Sequence, residues 1–139
     1  MLLARDLHYR QVMNVAIPTW CGRVSPVLDT AGRLLIVKAD AGQELTRQEA
    51  PLTASDMAGR LEQITSSHVD VLICGAVSQV LAGMLSRRGI AVISHVCGPV
   101  EEVLRCHLAG QSPQDRYGMP GCCRRHRQRG ERRGRNRAN

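Results

Sequence analysis

Apolar and polar positions along the chain fall into short blocks whose period changes from one block to the next. Val12–Pro18 is a β-branched apolar run stopped by a proline, which predicts a strand. Leu34–Lys38 predicts a second strand. After the Asp40-Ala41-Gly42 turn, the weak alternation of Gln43–Glu49 predicts its hairpin partner. Ala54, Met57, Leu61 and Ile64 recur at helical spacing within Thr53–Ser67, and Thr53 with Asp56 forms a variant of the capping box. Val69–Cys74 is nearly continuous in apolar residues, as in a strand buried on both faces of a parallel sheet. Val77, Val80, Leu81, Met84 and Leu85 make the next amphipathic helix, with Gly89 just past its end. Ile90–Ile93 is another buried strand. Pro99 at the first helical position, Glu101 and Glu102 near the positive end, and Gly110 as the cap frame a last helix. The order β, β, β, α, β, α, β, α predicts one α/β domain, a mixed sheet covered by helices.

Composition refines this picture. The chain has 139 residues, 43% of them hydrophobic, enough for one packed core. The net charge of +7 belongs to its last part. Residues 1–110 hold ten basic and ten acidic residues, whereas residues 111–139 hold nine arginines against Asp115 and Glu131. The predicted organisation is therefore an extension at 1–12 with Met13 as a candidate start, a domain at 13–110, and a disordered Arg/Gly-rich tail at 111–139. With one Trp, two Tyr and no Phe, the chain lacks the aromatic platforms of stacking RNA readers. No apolar run approaches the length of a membrane span. Residues 1–12 carry no signal-peptide pattern, so a cytoplasmic protein with reduced thiols is expected.

The chemistry expected of this chain rests on its six cysteines. In open α/β sheets, ligands bind beyond the carboxyl ends of the parallel strands. Three segments should reach that edge: Thr19–Ser25, Cys74-Gly75 and Ser94–Gly98. Cys21, His95 and Cys97 in these loops are the thiolate and imidazole donors that a soft-metal or metal–sulfur site uses. Gly22, Ser25, Gly75, Ser78 and Gly98 would line the pocket. Cys74, at the end of a buried strand, reads as a packing residue. Cys106 and His107 lie on the last helix and read as structural. Cys122, Cys123 and His126 in the tail add soft donors, flanked by arginines that favour thiolate and attract anions. Their spacing is not that of a zinc finger. P-loop, dinucleotide-binding, zinc-protease and nucleophile-elbow motifs are absent, and no catalytic residue is assigned.

Met13-Asn14-Val15-Ala16-Ile17-Pro18-Thr19, Gly22–Ala31, Leu34–Val37, Val69–Gly75 and Gly89–Ile93 form an ordered set. In that set the chain resembles the dinitrogenase iron-molybdenum cofactor biosynthesis family, the NifX and NifB C-terminal-like domain. The resemblance implies an RNase H-like three-layer α/β fold around a mixed five-stranded sheet. It also implies a non-enzymatic role in binding, carrying or assembling a metal–sulfur cluster or its precursor. The expected ligand is then a cluster of iron, molybdenum or copper, and the expected partners are other metallocluster assembly or acceptor proteins. Where many members carry His-Phe-Gly, this chain has Val27-Leu28-Asp29. Where they carry a glycine-rich stretch, it has Ala76-Val77-Ser78. The residues also admit a nucleic-acid-associated protein acting through the arginine tail, whose binding would weaken steeply with salt, and a thiol redox or regulatory module.

Overall fold

The computed structural model describes residues 12–119. Its sheet contains β1 (Val12–Trp20), β2 (Arg23–Val24), β3 (Arg33–Asp40), β4 (Gln43–Pro51), β5 (Val71–Ile73) and β6 (Ala91–Ile93). The helices are α1 (Met57–Thr65), α2 (Gln79–Arg87), α3 (Val100–Leu108) and α4 (Pro113–Tyr117), and Leu28–Thr30 makes a single 3-10 turn. The strands run in the order β4-β3-β1-β5-β6, with β2 paired to β1 alone. β1, β5 and β6 are mutually parallel, whereas β3 and β4 are antiparallel additions. The carboxyl ends of β1, β5 and β6 therefore share one edge.

Alternation along the strands divides the core in two. Ala16, Ile36 and Leu72 pack with Leu61 and Ile64 of α1 and Leu81 and Leu85 of α2. Val15, Ile17, Leu35, Val37, Val71 and Ile73 pack on the opposite side with Val100, Val103 and Leu104 of α3. Consecutive strand residues point to opposite faces, so both faces of the central strands are apolar and covered.

Four expectations are corrected. The sheet has six strands against the expected five, because the loop after β1 turns back as the two-residue strand β2. The first helix starts at Met57, not Thr53. Asp56 is its cap, accepting from the Gly59 N–H at 3.2 Å, while the Thr53 hydroxyl accepts from Gln63 Nε2 at 3.0 Å. Pro99 precedes α3 as its cap residue instead of opening it. Residues 113–117, expected to be unfolded tail, form α4: Pro113 is buried and Tyr117 packs on the α3 side of the core. Two apolar anchors in a polar stretch are enough to hold one helical turn to a core that already exists.

Candidate functional site

The three loops expected at the carboxyl edge do meet there, and backbone hydrogen bonds stitch them together. The β1–β2 hairpin closes through a two-residue turn, Cys21-Gly22, with Trp20 paired to Arg23. Both turn residues have positive φ, 53° and 78°, as a type I′ turn requires. The hairpin is tied to the loop after β6. Val24 donates its N–H to the Gly98 carbonyl at 2.9 Å, and Val100 donates to the Gly22 carbonyl at 3.0 Å. The loop after β6 is tied in turn to the end of β5. His95 donates to the Gly75 carbonyl at 2.9 Å, and Val96 to that of Cys74 at 3.0 Å.

Within this frame the expected donors differ sharply in access. Cys21 is exposed at the tip of its turn. His95 is exposed, also held at positive φ (63°), with its Nδ1 3.0 Å from the Ser94 hydroxyl. A thiol-bearing and an imidazole-bearing residue in the left-handed region are strained positions that neighbouring structure must hold. Cys97 is half-buried, and its Sγ lies 3.9 Å from the Gly118 carbonyl. The segment that covers it is a strap formed by residues 114–119. Cys97 donates its N–H to the Tyr117 carbonyl at 2.7 Å, Met119 donates to the His95 carbonyl at 2.8 Å, and Gln114 Nε2 donates to the Ser94 carbonyl at 2.7 Å. Among the described residues, no three His, Cys, Asp or Glu side chains converge to hold one metal ion. Cys21, His95 and Cys97 thus share an edge but do not form a closed coordination sphere. Cys122, Cys123 and His126 lie outside the described residues.

The expected pocket residues serve mostly to build the edge. Gly22 and Gly98 lend carbonyls to the stitching, and a Cβ on Gly98 would sit 3.2 Å from the Tyr117 ring. Ser25 is buried, its N–H on the Pro18 carbonyl at 2.8 Å. Gly75 is pressed onto the chain beside it: a Cβ there would meet the Pro26 carbonyl oxygen and lie 2.6 Å from that of Ser25. Ser78 caps α2, its hydroxyl accepting from the Leu81 N–H at 3.2 Å.

Asp29 and Arg60 were not legible as part of this corner. Asp29 Oδ1 accepts the Ser78 N–H at 3.0 Å, so the first turn of α2 is capped from within. The turn bearing Asp29 is clamped by the buried Arg60, whose Nη1 donates to the Leu28 and Ala31 carbonyls at 3.3 and 2.8 Å. Cys74 is fully buried; burial, reinforced by the Asp29 charge, pushes its thiol up to about 12. Fully buried, it is out of reach of a ligand at the surface, in keeping with the packing role expected for it. Cys106 and His107 are likewise structural. Cys106 is buried on α3, and burial lowers the pKa of His107.

Fold and edge together define a small α/β protein that presents soft donors on loops beyond its parallel strands. The chain belongs to the dinitrogenase iron-molybdenum cofactor family, whose sequence profile matches residues 11–110. Solved structures share the fold. The protein PH0822 superposes with a TM-score of 0.67 at 16% identity, over 71% of this chain and 91% of that one. A candidate dinitrogenase of Methanocaldococcus jannaschii gives 0.60 at 20% identity, over 72% and 91%. The apo form of the orange protein from Desulfovibrio gigas gives 0.60 at 21% identity, over 73% and 91%. No curated protein matches the chain. No helix among the described residues is long and apolar enough to cross a membrane.

Proposed function

We propose that this protein is a non-enzymatic carrier of an anionic metal–sulfur cluster or cluster precursor, which it receives from and passes to other metallocluster proteins. The observation that carries this reading is the pairing of an exposed thiol, Cys21, with an exposed imidazole, His95, on two loops tied to one strand-end edge. Family membership supports the class of cargo. A carrier needs few protein ligands, because a preformed cluster brings its own sulfides. An open edge with one or two soft donors therefore suits cargo that must leave again. As a Cys21 sulfur–metal bond forms, the thiol proton passes to solvent.

The tail thiols belong to the same proposal. Met119 is hydrogen-bonded to His95, and Cys122 follows three residues later. On residue type and closeness in sequence, Cys122 and Cys123 would add thiols for the same cargo, and Cys97 becomes available when the strap lifts.

The test is anaerobic loading of the full chain with iron and sulfide, and separately with tetrathiomolybdate. Desalting, metal analysis and visible absorption follow. Wild type is expected to retain metal, and Cys21→Ser with His95→Ala to lose most of it. No retention by wild type, or equal retention by the double variant, overturns the reading.

A further inference from the structure

The tip of the β1–β2 hairpin carries more than a thiol. Trp20, the chain's single tryptophan, is 64% exposed, although it ends a strand whose middle is wholly buried. Its cross-strand partner is Arg23, also exposed. Residues directly opposite on an antiparallel pair have Cβ atoms about 5 Å apart and share one face of the ribbon. Trp20 and Arg23 therefore stand on one face of the hairpin, on either side of the Cys21-Gly22 turn. Among the described residues the Arg23 side chain has no ion-pair or hydrogen-bond partner, whereas Arg33, Arg47 and Arg88 are each matched to a carboxylate. The tip is held by backbone alone, through the Val24–Gly98 and Val100–Gly22 hydrogen bonds and the Arg23–Pro99 bridge. Its three side chains are thereby left free.

The neighbouring corner, at the end of β5, has the opposite character. There the Ala76 and Ser78 amides are satisfied by the Pro26 carbonyl and the Asp29 carboxylate. An arriving anion would meet the Asp29 carboxylate there.

Resting on the carrier reading above, we infer that Trp20 and Arg23 are the recognition residues for the cargo. Arg23 supplies the counter-charge and Trp20 an apolar, polarisable wall, so the hairpin tip selects anionic thiometallates over the metal cations that a bare thiol also takes. A weakly hydrated guanidinium suits large, diffuse sulfide anions better than compact oxyanions, and an indole meets an anion with its electropositive edge.

The experiment is a titration of the full-length protein under anaerobic conditions with tetrathiomolybdate, and in parallel with molybdate, read by Trp20 emission and by equilibrium dialysis. Expected results are quenching by tetrathiomolybdate and not by molybdate, and weakening of the dialysis affinity by about fivefold in Arg23→Gln, with a shallower salt dependence. Trp20→Leu should weaken dialysis binding by a similar factor. Asp29→Asn, which keeps the acceptor but removes the charge at the other corner, should change affinity by less than about twofold. Binding that depends on Cys21 but is indifferent to Arg23 and Trp20 overturns this inference while leaving the carrier reading intact. So does a gain in Asp29→Asn larger than the loss in Arg23→Gln. Absence of any tetrathiomolybdate binding removes both.

Discussion

Two corners of one sheet edge, both ending in a cysteine, have opposite chemistries. At the β5 corner Cys74 is fully buried, Gly75 is wedged against Ser25 and Pro26, and Asp29 fills the start of α2. At the β1 corner Cys21 stands exposed on a turn closed by Trp20 and Arg23. The first corner has turned the Ala76 and Ser78 amides and the Asp29 carboxylate to building the fold. The second is built by backbone contacts alone and leaves its side chains unspent. A cysteine at a strand end is therefore not a ligand by position; what decides is whether the surrounding amides and charges are already committed.

The largest expected effect comes from breaking the closed corner. Gly75→Ala places a Cβ against two backbone carbonyls that side-chain motion cannot relieve. The expected loss is about 3 kcal/mol or more in urea unfolding. An unchanged midpoint would mean that the corner yields easily and is not the rigid half of the contrast.

A pH series sharpens the same comparison. The Cys74 thiol is raised from 9.0 to about 12, so the folded state holds its proton more tightly than the unfolded state. The stability this contributes is complete below pH 9 and is lost as pH rises toward 12, and Cys74→Ala should flatten that alkaline fall. His107 works at the other end. Burial lowers its pKa from 6.5, so its contribution is complete above that pH and is lost on acidification below it. His107→Gln should remove that part of the acid limb in thermal melts.

Loosening the strap is expected to cost less. Tyr117→Ala removes a ring packed on the α3-side core and the hydroxyl that donates to Glu102 at 3.3 Å. A loss of about 1–2 kcal/mol is expected, with faster alkylation of Cys97. Unchanged Cys97 labelling would show that the strap does not guard it. The smallest effect belongs to Arg47, which bridges Glu44 and Glu101 at 2.7 Å each and holds both carboxyls below their ordinary pKa. These groups are largely exposed, so Arg47→Ala should cost no more than about 0.5 kcal/mol, and only at low salt.

How much of this was legible in the sequence follows from which interactions are local. The apolar runs of β1, β3, β5 and β6 and the spaced faces of α2 and α3 were readable because strand and helix periods are written in neighbouring residues. The burial of Cys74 followed from its place at the end of an apolar run. β2 is two residues long, too short to carry a period. α4 owes its existence to Tyr117 finding a core built by residues far earlier in the chain. The edge holding Cys21, His95 and Cys97 could be anticipated from topology. What separates the corners could not: the Asp29–Ser78 contact spans 49 residues and the Arg60–Ala31 contact 29, and no local signal announces either.

The central claim is that Cys21, and not Cys74, faces the cargo. Differential alkylation of the anaerobic full-length protein, read by mass spectrometry with and without bound tetrathiomolybdate, tests it most directly. The prediction is rapid labelling of Cys21 in the free protein, strong protection of Cys21 in the loaded one, and no labelling of Cys74 in either. Equal labelling of Cys21 in the two states, or protection confined to Cys74, would contradict the account.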